Sequence, residues 1–358
     1  MSFVNLMTPA RFGDLDLKNR VVMAPMTRSR ATTDGEVTDI MVEYYRQRAG
    51  AGLIITEGVY PSEDGKGYCR TPGLVTAEQA AGWRRVTDAV HAEGGTIAMQ
   101  MMHVGRVAVA DNKRPDAETI APSAIAANWK LYTDTDGGTM QPCVVPRALA
   151  AEEIVDVIDE YRRCTELAFE AGFDGVELHG TSGYLPAQFL STGTNRRDDE
   201  WGGSLTGRLR FFVEVAHAMA GVDGPERVGF RVCPGNPFND LHDDDPDETF
   251  RALLAALNPL GLAYCHTLRM PSTGIDIELL CRQAWNGPLI INDSYTPDEA
   301  SDALELGRAD AVSFGRLYIT NPDLAERIAV RAPLASTDAA HIYDPGPEGY
   351  IDFPAMAG

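Results

Sequence analysis

Gly172-Phe173-Asp174-Gly175-Val176-Glu177-Leu178-His179 is a glycine-and-aspartate turn, then a short apolar run, then a polar residue where the run stops. A run this short and this apolar suits a strand buried on both faces of a parallel sheet. The same unit recurs at residues 20–25, 51–58, 95–100, 227–231, 261–266, 287–292 and 309–315, so the chain holds eight such runs. Amphipathic stretches lie between them. Ile154, Val155, Ile158, Tyr161, Leu167 and Ala168 fall close to helical spacing, and residues 297–306 and 322–332 each open with a proline suited to a first helical turn.

Eight strands alternating with helices point to an α/β fold of the closed (β/α)8 TIM-barrel kind, expected here as a single domain over residues 1–358. Residues 107–147, rich in Pro, Ala, Asn and Asp, read as an insertion after the third strand. Residues 6–18 read as a hairpin covering the barrel floor. In such barrels the chemistry sits at the C-terminal ends of the strands. Polar residues collect at those ends: Thr27, Arg28, Glu57, Gln100, His103, His179, Arg231, His266, Asn292 and Arg316.

Composition narrows the function. The 358-residue chain has a formal net charge of −21. That opposes sequence-independent binding to nucleic acid or to an anionic membrane, both of which need a basic face. Six of the nine residues 240–248 are acidic, but without the spacing of a calcium loop, so the run reads as a solvated loop or helix start. No metal site is expected. The six cysteines are scattered without a CxxC pair, which suits reduced thiols in the cytoplasm. Residues 1–20 lack the apolar core of a secretory signal, and no window approaches eighteen continuous apolar residues. No G-x-G-x-x-G follows a strand, which disfavours a Rossmann dehydrogenase. No lysine lies in the eight runs, which disfavours Schiff-base aldolase chemistry.

Several ordered motifs then carry a resemblance. They are Asn19-Arg20-Val21-Val22-Met23-Ala24-Pro25-Met26-Thr27-Arg28-Ser29-Arg30, Gln100-Met101-Met102-His103-Val104-Gly105-Arg106, and Ala171 to Gly180 running on to Gly183-Tyr184-Leu185 and Gln188-Phe189-Leu190. Asn195-Arg196-Arg197-Asp198-Asp199-Glu200-Trp201-Gly202-Gly203-Ser204, Phe314-Gly315-Arg316 and the tail Glu348-Gly349-Tyr350-Ile351-Asp352-Phe353-Pro354 continue the set. Together they resemble the Old Yellow Enzyme family of FMN-dependent NAD(P)H ene-reductases, which includes N-ethylmaleimide and xenobiotic reductases. The resemblance implies FMN as cofactor, NADPH or NADH as reductant, and a small electrophilic alkene as substrate, in a monomer or homodimer. It implies that Ser294, Gly315 and Arg316 hold the flavin phosphate. Pro25, Met26, Thr27, Gly58, Gln100 and Arg231 would surround the ring, with Thr27 tuning its potential. His179 and Ser182 would receive the substrate oxygen, and Tyr184 would donate a proton. Tyr68, Met102 and Tyr343 would wall the substrate pocket.

This chain departs from the family's pattern at three of these places. Asp293 stands where the family usually has Gly, Ser182 where it has Asn or His, and Met102 where relatives often have Trp. Read alone, His-x-x-Ser is most simply a capped turn. Two functional readings are therefore carried forward: a general ene-reductase, and a pathway-specific relative that reduces, oxidises or isomerises one bulky natural product.

Overall fold

Each of the eight runs forms a strand: β1 (Val21–Met23), β2 (Leu53–Val59), β3 (Ile97–Met101), β4 (Gly175–His179), β5 (Val228–Val232), β6 (Tyr264–Leu268), β7 (Leu289–Asn292) and β8 (Ala311–Phe314). All neighbours pair in parallel, and β8 closes onto β1 to complete the expected barrel. The computed structural model describes residues 3–336 and 341–356.

Strand alternation separates two cores. On β3, Ile97, Met99 and Met101 pack outward with the helices, whereas Ala98 faces the barrel axis. The lower interior is apolar: Val22, Leu53, Ile55, Ala98, Tyr264, Ile290 and Ala311 cluster with Phe12, Leu15 and Leu17 of the N-terminal hairpin. The Tyr264 ring fills space left by Gly229, where a Cβ would lie 2.2 Å from the ring. The hairpin pairs Ala10–Phe12 antiparallel with Leu15–Leu17 and so covers the floor as expected. It is shorter than residues 6–18, because Leu6 and Met7 belong to a helix, Val4–Met7. Pro9 explains the break: it holds Thr8 extended and ends the helix before the strand begins.

The helices follow their sequence signals with two adjustments. Ala151–Glu170 buries Ile154, Val157, Tyr161, Cys164, Thr165 and Ala168. Val155 is 57% exposed, since it lies one residue, about 100° of helix, round from Ile154. Pro297 opens Pro297–Glu305 beneath a Thr296/Glu299 capping box. Pro322, in contrast, precedes a helix that starts only at Leu324. The acidic run is a helix start: Asp245 caps the Glu248 N–H, and Asp247 and Glu248 occupy the first turn of Pro246–Leu257.

The 107–147 insertion carries structure that its loop-like composition conceals. It holds a hairpin, Lys130–Thr133 with Thr139–Pro142, and its strand Ile120–Ala121 pairs with Arg147–Ala148. Arg106 fastens the insertion to the loop after β5. It donates to Ile125 O (3.4 Å) and Ala126 O (3.1 Å) on one side, and to Asn239 O (3.4 Å) and Asp240 O (2.5 Å) on the other. Near the C-terminus, Arg28 donates to Ile342 O (3.1 Å) and Gly349 O (2.7 Å), and Tyr350 stacks on Tyr44 at 4.1 Å. These contacts hold the segment bearing Tyr343 near the barrel mouth. All six cysteines are free thiols. Among the described residues no helix is long and apolar enough to cross a membrane.

Phe12 is 2% exposed and plugs the end of the barrel opposite the mouth. Phe12→Ala should lower stability by about 3–5 kcal/mol. Urea unfolding should show that loss, while a ligand titration at the mouth stays unchanged.

Candidate active site

Above the apolar floor the barrel interior turns polar, and strand register decides which side chains meet. Gly58, Gln100 and Glu177 are Cα partners across β2, β3 and β4. His179, Arg231 and His266 are partners across β4, β5 and β6, and Asn292 pairs with Ser313 across β7 and β8. Gln100 Nε2 donates to Glu177 Oε1 at 2.7 Å, and His266 Nδ1 lies 2.9 Å from Glu177 Oε2. Arg231 reaches His266 Nε2 (3.0 Å) and Asn292 Oδ1 (2.8 Å), and Asn292 Nδ2 donates to Ser313 O (2.8 Å).

The electrostatics of this layer are settled by its one permanent cation, Arg231. Burial would raise the Glu177 carboxyl, but His266, Arg231 and Gln100 outweigh it and hold the group below its usual range. Burial and the Arg231 guanidinium push His266 down to about 4, so its ring is neutral. A neutral ring that donates from Nδ1 to Glu177 accepts at Nε2, and this network assigns the tautomer.

The chain after β4 forms a tight turn. His179 closes the strand, and its Nδ1 is buried without a hydrogen-bond partner among the described residues. Burial, Arg231 and His266 together push its pKa well below the ordinary value, so the imidazole is neutral. Ser182 (φ 58) and Gly183 (φ 77) are both left-handed, which Asn tolerates better than Ser. The turn aims Tyr184 back at His179, with the rings perpendicular and 4.8 Å between centroids. The Tyr184 and Tyr68 hydroxyls lie 3.0 Å apart. Burial raises the Tyr184 pKa against the lowering effect of Tyr68 and Asn239. The phenol is therefore protonated at neutral pH. Met102 packs in the same apolar cluster as Tyr184 and Tyr68, with Ala127, Leu131 and Cys143 of the insertion. Met102 also explains Gly58, where a Cβ would meet its Sδ at 2.5 Å.

A cavity of about 180 Å³ opens beside β7, β8 and β1, lined by Pro25, Met26, Asp293, Ser294, Gly315 and Arg316 among others. Asp293 (φ 87) and Ser294 (φ 54) are successive left-handed residues that turn the chain sharply at the edge of this cavity. Arg316 Nη1 donates to Ser294 Oγ at 3.2 Å, and Ser294 Oγ donates to Asp293 Oδ1 at 3.1 Å.

Residues 5–334 match the NADH:flavin oxidoreductase / NADH oxidase family. The chain belongs to that family. A probable flavin mononucleotide-dependent alkene reductase of Leishmania infantum is 40% identical over 98% of this chain and 97% of its own. The 12-oxophytodienoate reductase 7 of Oryza sativa subsp. japonica is 37% identical over 98% of this chain and 94% of its own. Among solved structures, morphinone reductase in complex with tetrahydroNAD superposes with a TM-score of 0.95 at 43% identity, covering 99% of this chain and 98% of that one. The Old Yellow Enzyme homologue from Zymomonas mobilis superposes at 0.94 with 36% identity, covering 98% and 100%. The Old Yellow Enzyme resemblance and the (β/α)8 fold it implied are therefore met. The protein is an FMN-dependent NAD(P)H oxidoreductase.

The residues of this NADH:flavin oxidoreductase chain fit FMN on their own chemistry. The Ser294 hydroxyl and the Arg316 guanidinium suit a phosphate dianion, and Pro25 and Met26 line the same cavity. Gln100 keeps its Oε1 as an acceptor while Nε2 is engaged by Glu177. Arg231 is a fixed cation at the strand ends, and Gly58 gives a flat edge beside Gln100. Thr27 is half-buried one residue beyond Met26. Tyr343 stands apart from the buried set. It is 60% exposed, and its carbonyl accepts from Arg70 Nη2 at 2.9 Å. Asn292 stood among the polar strand ends, but Glu177, Ser313 and Asn239 were not singled out from sequence. Glu177 and Ser313 lie in two of the eight runs, where a polar group inside an apolar strand is the signal that marks them. Among the described residues no cluster of three His, Cys, Asp or Glu could hold a metal.

Two expectations follow. Asp293 puts a carboxylate and a left-handed non-glycine residue beside the cavity lined by Ser294 and Arg316. Asp293→Gly should tighten FMN binding by about 1 kcal/mol, roughly fivefold, in a fluorescence titration of apoprotein. His103 is fully buried, and burial pushes its pKa from 6.5 down to about 3. Below pH 6.5 the unfolded chain gains a proton that the native state refuses. The contribution of His103 is thus complete above pH 6.5 and falls by ~1.4 kcal/mol per pH unit towards 3. The destabilisation caused by His103→Gln should shrink accordingly in urea unfolding at pH 7, 6 and 5.

Proposed function

We propose that this chain passes a hydride from NAD(P)H to the β-carbon of an activated alkene, such as an enone, enal, maleimide, nitroalkene or quinone, with Tyr184 protonating the α-carbon. The observation that carries the reading is the perpendicular contact of a neutral imidazole and a protonated phenol, His179 and Tyr184, over the polar barrel mouth. Bound FMN supplies the hydride chemistry. The protein's own residues bind, orient and move a proton. His179, with the Ser182 hydroxyl three residues on, receives the substrate oxygen and donates to it as negative charge develops there. A neutral imidazole donates a hydrogen bond without surrendering its proton. The Tyr184 O–H bond breaks as the α-carbon C–H bond forms. Arg231, fixed by Asn292 and His266, stabilises negative charge at the flavin edge with Gln100. Thr27 tunes the flavin carbonyl, Pro25, Met26 and Gly58 bear on the ring, and Ser294, Gly315 and Arg316 hold the phosphate. Tyr68, Met102 and Tyr343 bound the substrate.

The second reading, one bulky natural product as substrate, draws on a different feature. Trp129 and Phe238 pack at 6.0 Å between ring centroids yet remain 45% and 55% exposed at the loop beside Tyr184. Such a pair suits an extended apolar substituent. Free thiols and the acidic surface favour a cytoplasmic setting, as monomer or homodimer.

Tyr184→Phe should slow alkene reduction by roughly 10²–10³-fold. Rapid mixing should find flavin reduction by NAD(P)H unaffected. An equal loss in both half-reactions would remove the proton-donor role.

A further inference from the structure

The loop after β5 carries Asn239, left-handed at φ 55 and only 2% exposed. It packs on the turn that bears Ser182 and Tyr184. Its Nδ2 donates to Ser182 O at 2.7 Å. The fit leaves no slack, because a Cβ on Gly183 would meet Phe238 O at 2.8 Å and Asn239 Cβ at 2.9 Å. Arg106 grips the same loop from behind through the carbonyls of Asn239 and Asp240. The side chain is thus fixed at its base and at its tip.

An amide nitrogen carries two N–H donors. One serves the Ser182 carbonyl. The amide stands beside the phenols of Tyr68 and Tyr184 and draws both down against the upward push of burial. The position is informative because residue 182 is Ser and brings no amide of its own to this corner.

We propose that Asn239 is a positioning residue of the proton transfer: its amide locks the Ser182–Tyr184 turn and stabilises the Tyr184 oxygen as its proton leaves. The inference rests on the Tyr184 reading above. In that step the Tyr184 O–H bond breaks, and the proton joins the electron pair on the substrate α-carbon to form a C–H bond. One negative charge remains on the phenolate oxygen. The Tyr68 hydroxyl at 3.0 Å donates to it, and the second Asn239 N–H is the further donor proposed for it. Tyr68 hands its proton on and regains one from water, which closes the balance. The ionisable groups facing Tyr184 are Tyr68, His179 and Tyr343, with Cys143 beside Tyr68 and the Arg106–Asp240 pair behind the loop.

Asn239→Asp keeps the shape and the tolerance of a left-handed backbone but exchanges the donor for a carboxylate. Alkene reduction should slow by roughly 10- to 100-fold. The phenol limb of its pH profile should move to higher pH, while flavin reduction by NAD(P)H stays within twofold of wild type. Asn239→Gly, which accepts the same backbone, should show the same upward direction and serves if the aspartate variant folds poorly. An unmoved profile, or equal slowing of both half-reactions, overturns the proposal. Tyr184→Phe is measured alongside. If it leaves alkene reduction intact, the proton-donor reading falls and this inference with it. If it slows that step while the Asn239 variants leave the profile unmoved, this inference alone fails.

Discussion

A guanidinium and a carboxylate, Arg231 and Glu177, are buried within the barrel, and the arrangement of the mouth depends on their being balanced there. Each ion costs several kcal/mol to desolvate, and only good geometry with full hydrogen bonding offsets that. The barrel meets the condition by taking one group from each of six strands: Gln100, Glu177, Arg231, His266, Asn292 and Ser313. A slip of any strand by one residue would turn its polar group towards the helices and leave a charge unanswered. The network therefore fixes strand register at the level where Gln100 and Arg231 must stand. Charge compensation and site orientation are one requirement here.

The rim above this layer is strained, and the strain is concentrated. Ser182, Asn239, Asp293 and Ser294 all hold left-handed backbone without being glycine. Each such residue costs on the order of 1 kcal/mol, which the surrounding fold must over-determine. Two of the three departures from the family's usual residues fall among them. By the resemblance, Ser182 stands where Asn or His is usual and Asp293 where Gly is, and Asn and Gly suit that conformation better. The chain accepts a less comfortable backbone at both places.

How far the sequence revealed this depends on the range of the interaction. The eight strands were legible because each is a short apolar run between turn residues, a local signal that tertiary context does not reverse. The insertion's hairpin was hidden, since Lys130–Thr133 alternates in burial over only four residues inside a loop-like composition. His179 and Tyr184 were found through a contiguous motif. Glu177 sat inside that motif yet gave no sign of its partners, because they arrive by register from β3 and β6. Asn239 was beyond reach. Its importance comes from a contact with a turn 57 residues away, made possible by a backbone angle that no pattern of residue types announces.

The Arg106 side chain has a mechanical effect. By holding carbonyls of residues 125–126 and 239–240 in one planar fork, it makes the insertion and the post-β5 loop a single stiff wall. Neither can swing aside alone, since each would strand a buried cation. The cleft beside Tyr184 therefore has one braced boundary, held from behind by a side chain that is only 2% exposed.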